Sequence, residues 1–178
     1  MRVVGQPRLR TVLLIGTNHE YQYQRPLAAS SGPGQFRAMV TATCKREGAR
    51  AIAEEWSVDA NERKGVQQSV CKEIADTLGI AHRYCDPSAK ERKALGILID
   101  EADTQLGGFF SGRDPQKVEA EVRDSHARRR GYWLERLLEL DVWPVLFVCG
   151  ANHTEPFREL LQVNGITVRA LFTKWEPN

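Results

Sequence analysis

Short uninterrupted runs of apolar residues alternate along this chain with longer stretches in which apolar side chains recur every three or four positions. Val12-Leu13-Leu14-Ile15 and Val145-Leu146-Phe147-Val148-Cys149 are the clearest runs, and each leads into a glycine, Gly16 or Gly150. Runs of this kind mark strands covered on both faces, as in a parallel sheet. They predict a first strand over 12–15 and a fourth over 143–149; residues 49–56, 80–85 and 166–172 supply the other three.

The intervening stretches have helical spacing. Phe36, Met39, Val40 and Thr43 predict a helix over 35–47, with Gly48 ending it. Val66, Val70, Ile74 and Leu78 stand four apart and predict one continuous helix over 61–78, stopped at Gly79. Pro87-Ser88 opens a further helix through Arg92 and Leu95. Asp114-Pro115 opens a long one, Asp as cap and Pro in the first turn, that runs to about Leu140 and presents Val118, Val122, Trp133, Leu134, Leu137 and Leu138. Residues 155–163 form the last helix. Residues 96–113 fit either a helix or a strand, because Ile97-Leu98-Ile99 suits both and Gly107, Gly108 and Gly112 interrupt. Residues 20–34, rich in Gly, Pro and Ser, read as a long loop that can act as a lid, and residues 1–10 as a flexible terminus. Strands alternating with helices predict one α/β domain over 1–178: a mostly parallel sheet, flanking helices, right-handed crossovers and a site at the carboxyl edge of the strands.

Composition narrows the partners. The formal charge is +2, from 25 basic and 23 acidic residues, so no strong field draws nucleic acid or an anionic membrane. Arg128-Arg129-Arg130 is the only dense basic patch, without the interleaved aromatics that nucleic-acid binding wants. Cys44, Cys71, Cys85 and Cys149 form no Cys-x-x-Cys pair and read as buried thiols in a reducing compartment. Residues 1–10 lack the apolar core of a secretory signal, and no segment approaches the roughly 18 apolar residues that span a bilayer. The expectation is a cytoplasmic protein with a small-molecule or peptide substrate, and with neither nucleic acid nor membrane as partner.

The chemistry enters through two tetrapeptides of one design, Gly16-Thr17-Asn18-His19 and Gly150-Ala151-Asn152-His153, each directly after an apolar run. A histidine three residues past such a glycine lies at a strand's carboxyl end, where open parallel sheets bind their ligands. The chain has only four histidines, His19, His82, His126 and His153, and two of them stand in this matched context. Glu54 and Glu55 end the second strand and bring a carboxylate to the same edge, although neighbouring strand residues face opposite sides. Imidazole with carboxylate suits a divalent metal such as zinc, manganese or iron, with His19, Glu54, Glu55 and His153 as its ligand candidates. The same groups suit metal-free acid and base work. Asp86 ends the third strand and either serves the site or caps a turn, while His82 stands at that strand's start, outside the expected site. Arg129-x-x-x-Trp133 puts a guanidinium and an indole on one helix face, so that Arg129 can orient a substrate or a catalytic acid. Asn18 and Asn152 are candidate supports behind the two histidines. Neither a Gly-x-Ser-x-Gly element nor a P-loop is present, which removes the serine-hydrolase and NTPase readings.

Gly-Thr-x-His near the amino terminus, a strand ending in Glu, an Arg-x-x-x-Trp helix and an apolar strand followed by Gly-x-x-His together resemble the TraB/Tiki/GumN group and its ChaN-like and erythromycin-esterase-like relatives. The resemblance covers most of the chain. It implies an α/β core whose two Gly-x-x-His motifs and acidic motif line one pocket, made here of His19, Glu55 or Glu54, Arg129 and His153. Activities in the group diverge: metal-dependent proteolysis is described for Tiki-like proteins, lactone cleavage for erythromycin esterases and haem binding for ChaN-like proteins. The resemblance therefore implies a site more firmly than a reaction, and the leading expectation is a hydrolase of an amide or ester bond whose water is activated by the His and Glu groups, with or without a divalent metal. The alternatives are a non-catalytic small-ligand or haem-binding module that uses the same histidines, or a degenerate interaction-only member.

Overall fold

Uninterrupted apolar runs can be satisfied only between two covering layers, and this chain builds those layers from helices. The computed structural model describes residues 9–25 and 27–178; most of the expected flexible terminus, and Pro26 within the expected lid, lie outside them. The elements in order are β1 (Thr11–Thr17), a 3-10 turn (His19–Gln22), α1 (Gly32–Glu47), β2 (Ala51–Glu54), α2 (Val58–Lys64), α3 (Val70–Leu78), β3 (Ala81–Tyr84), α4 (Ala89–Leu95), α5 (Glu101–Phe110), α6 (Pro115–Leu138), β4 (Val145–Gly150), a second 3-10 turn (Ala151–His153), α7 (Thr154–Val163) and β5 (Thr167–Phe172). The five strands form one all-parallel sheet in the order β3-β2-β4-β1-β5. The fold is a single α/β domain, with seven flanking helices among the described residues.

Alternation along the strands sorts side chains into two cores. Val12 and Leu14, Val145, Phe147 and Cys149, and Ala51 and Ala53 face α6 and α7, where they meet Trp133, Leu137, Phe157 and Leu161. Leu13, Ile15, Ile52, Leu146 and Val148 face α1 and α3, where they meet Phe36, Val40, Cys71 and Ile74. The two-residue period of the strand thus accounts for both covers at once. All four cysteines are buried free thiols. No helix among the described residues is long and apolar enough to cross a membrane.

Strand order decides where a ligand can enter. The chain leaves β1 and steps past β4 to β2 with α1 on one face, whereas it leaves β4 and steps past β1 to β5 with α7 on the other. Right-handed crossovers require this switch of faces. At the carboxyl ends of the adjacent strands β1 and β4 the connections part, and that opening is the crevice in which doubly wound sheets bind ligands.

Three expectations are corrected. The helix expected over 61–78 is two helices: Gly65, at φ 64°, closes α2, and Ser69 then caps α3 by accepting from Lys72 N. That backbone conformation is rare for any residue with a β-carbon, so Gly65 breaks the helix even though the four-residue apolar spacing continues through it. Second, α1 begins at Gly32 rather than 35, because Ser31 caps it by accepting from Gly34 N at 3.3 Å and Pro33 fits the first turn. Third, the stretch read as loop from residue 20 opens in a 3-10 turn that Asn18 caps, its Oδ1 accepting from Glu20 N at 3.1 Å. The open stretch 96–113 contains α5, capped by Asp100.

Candidate functional site

A single 3-10 turn follows each of the two strands and carries the histidine of each Gly-x-x-His tetrapeptide, His19 as the first residue of its turn and His153 as the last. The structure brings His19 and His153 together on one atom: the Nε2 of each lies 3.5 Å from Oε1 of Glu55. Glu55 is one residue beyond β2, where its backbone N–H still donates to Val148 O at 2.8 Å. Its side chain is fully buried.

Burying a carboxylate is costly unless charge and hydrogen bonds answer it. Gly150 N donates to Glu55 Oε2 at 2.7 Å, and Arg129 Nη2 of α6 lies 2.8 Å from Oε1. Arg129 is shared: its Nε donates to Asp86 Oδ1 at 2.6 Å, and Trp133 Nε1 donates to the same oxygen at 3.0 Å. Arg92 Nη2 donates to Asp86 Oδ2 at 2.6 Å. The four-residue spacing of Arg129 and Trp133 therefore points both side chains at Asp86. The indole also lies edge-on against His153, ring centres 5.2 Å apart, and orients it.

These surroundings separate the titrating groups. Burial pushes Glu55 upward, but the charges of Arg129 and His19 outweigh it and hold the carboxyl well below its usual range. Burial likewise acts to lower His19, yet the nearby Glu55 charge, with the hydrogen bond to Gln22, leaves it above its ordinary 6.5. His153 goes the other way: burial lowers it, Glu55 opposes only in part, and Arg129, His126 and Arg130 add to the lowering. One imidazole is thus suited to hold a proton and the other to be without one.

Glu54 takes no part on this side. It faces the α1 and α3 layer, where it accepts from Gln22 Nε2 at 2.8 Å and from the Ser69 hydroxyl, and its Oε1 lies 2.8 Å from His82 Nε2. Gln22 also meets His19, its Oε1 standing 2.8 Å from Nδ1. His82, expected outside the site, thus reaches it through Glu54 and Gln22. Asn18 caps its turn and Asn152 is exposed; with His19, His153, Lys174 and Trp175 they line a cleft of about 610 Å³, a size that suits a small substrate.

Sequence reasoning missed Gln22, which is fully buried, and His126, whose ring lies 4.9 Å from that of His153 while its Nε2 lies 2.6 Å from Glu101 Oε1. The available signal for Gln22 was its place three residues after His19, which only the 3-10 turn makes a contact.

Among the described residues no group of three or more His, Cys, Asp and Glu side chains has the geometry to hold a metal ion. The chemistry of the donor set agrees. Oε1 of Glu55, the atom on which both imidazoles converge, already carries the guanidinium of Arg129, and a dication there would meet a fixed positive charge.

Gly150 keeps the centre compact. A β-carbon there would stand 2.8 Å from His19 Nε2 and 3.4 Å from Glu55 Oε2. Gly150→Ala is expected to push His19 off Glu55 and to cost about 1–3 kcal/mol through overpacking, read as a lower midpoint in denaturant; a variant as stable as the parent would show that the ring moves freely. Compared with known proteins, the chain matches no family model, no curated sequence and no solved structure.

Proposed function

We propose that this chain is a hydrolase that adds water across an amide or ester bond, with His153 as general base, His19 as general acid and Glu55 as the fixed carboxylate between them. One observation carries the reading: two imidazoles with opposite pKa shifts converge on a single buried carboxylate oxygen beside a substrate-sized cleft. Environments that push paired titrating groups apart are how one site runs acid and base chemistry near neutrality.

The step balances without a further reagent. His153 takes a proton from water as the water oxygen bonds to the substrate carbonyl carbon. The tetrahedral adduct then expels its amine or alcohol, which takes the proton of His19. Proton exchange with solvent resets both rings, of which His19 is the more open at 43% side-chain exposure. Glu55 stays ionised, favours the imidazolium as it forms at His153 and orients both rings. Arg129 neutralises Glu55 and locks it to Asp86. The guanidinium beside Glu55 supports the metal-free form of the reaction over the divalent-metal form.

A panel of chromogenic esters and amides, assayed with and without chelator, tests the proposal. Turnover that survives chelation and falls by about 10²–10⁴ in kcat/KM in His19→Ala and His153→Ala is expected, the range for loss of a general acid or base. Turnover unchanged in both variants would overturn it.

A further inference from the structure

Gln22 is a buried amide between two groups that fix its orientation. On one side lies Glu54, whose carboxylate accepts and does not donate, so the amide nitrogen must face it, at 2.8 Å. Glu54 cannot turn away, because Ser69 and His82 hold its other oxygen. The amide oxygen is thereby presented to Nδ1 of His19, also at 2.8 Å. An amide oxygen only accepts, so Nδ1 must carry a hydrogen for this bond to exist.

This settles which proton His19 can give up. Left to Glu55 alone, a neutral His19 would keep its hydrogen on Nε2, the nitrogen nearer that carboxylate, and Nδ1 would be the bare nitrogen. We propose that Gln22, held by Glu54, Ser69 and His82, is a positioning residue that locks neutral His19 as the Nδ1–H tautomer, so that its proton is exchanged at Nε2, beside Gly150 and Glu55. The role rests on His19 being the acid of the proposed hydrolase, but the lock itself is a property of the resting protein. It also gives a reason for a second carboxylate next to Glu55: Glu54 works through the amide rather than on a substrate.

Ring-nitrogen NMR of uniformly ¹⁵N-labelled protein reads the tautomer directly, at a pH where His19 is neutral and with its signals assigned by their loss in His19→Gln. The parent is expected to show His19 as Nδ1–H. Gln22→Met, which keeps the side-chain length without the acceptor, is expected to lower the ratio of Nδ1–H to Nε2–H by about tenfold, the worth of one hydrogen bond at the upper end of its range. Gln22→Glu restores an acceptor to Nδ1 and is expected to return the ring to Nδ1–H, which a merely structural role would not predict, since it leaves two carboxylates face to face and destabilises the fold more. A parent with His19 as Nε2–H, or a folded Gln22→Met with the parental ratio, would overturn the proposal. An Nδ1–H ring in a protein that hydrolyses nothing would sink the hydrolase and leave the lock standing, whereas an active hydrolase with an Nε2–H ring would sink the lock alone.

Discussion

Glu55→Gln is expected to cost about 3–5 kcal/mol in stability, the range for breaking a buried ion pair by removing one partner. The glutamine can offer its oxygen to Gly150 N or to Arg129, but its amide nitrogen must then face the other donor. With a side chain that is fully buried, Glu55 has no water to relieve that conflict. Arg129→Met should cost at least as much, because it leaves the fully buried Glu55, and the partly buried Asp86, without the guanidinium they share. For a chain of 178 residues, 1 kcal/mol corresponds to about 2–4 °C in melting temperature, so a fall on the order of 10 °C is expected in each variant. The pair of changes together should cost clearly less than the two costs added, since a neutral residue at 55 no longer needs a cation. Activity should be lost in both single variants, and in Glu55→Gln even at temperatures where the protein stays folded. Melting temperatures within about 2 °C of the parent in both variants would mean that the ion pair does not hold the site together.

The parts of this architecture legible in the sequence were those set by local burial. Val12–Ile15 and Val145–Cys149 announced strands covered on both sides because a run with no polar break has only one place to go. The matched Gly-x-x-His tetrapeptides then put both histidines at a strand end, and a parallel sheet makes the ends of different strands meet. Arg129 and Trp133 were legible as one helix face, and Asp86 as one of two readings. What escaped needed distances between segments far apart in the chain. Nothing in the strands' own residues says that β4 lies between β1 and β2, yet this order puts Glu55 beside both histidines. The four-residue spacing from Val66 to Leu78 concealed the break at Gly65, since periodicity reads side chains while the break is made by backbone. Gln22 lies within a loop-like composition, and the place of His82 along β3 does not reveal its neighbour across the sheet, Ile52, two residues before Glu54.

The dependence of activity on pH is expected to be a bell whose two limbs fall on either side of 6.5, the ordinary histidine value from which the two rings depart in opposite directions. His153 is lowered, so it frees itself of its proton below 6.5 and limits the acid limb. His19 is raised, so it holds its proton past 6.5 and limits the alkaline limb. In stability the two shifts act on opposite sides of 6.5. The folded protein binds less proton than the unfolded chain at His153, which removes stability as pH falls through 6.5. At His19 it binds more, and that stabilisation is lost as pH rises through the raised value. Glu55, lowered, contributes stability above 4.5 that disappears only in stronger acid. Stability should therefore be greatest near 6.5 and decline on either side, towards the lowered value of His153 and the raised value of His19, while kcat/KM, which reports the free enzyme's acid and base, bends at those same two values. Removing one ring should remove one limb: His19→Gln is expected to flatten the alkaline side of its residual activity and leave the acid side in place. A profile that keeps both limbs in that variant, or one in the parent that rises through 6.5 without turning over, would show that the two histidines do not divide the work of acid and base.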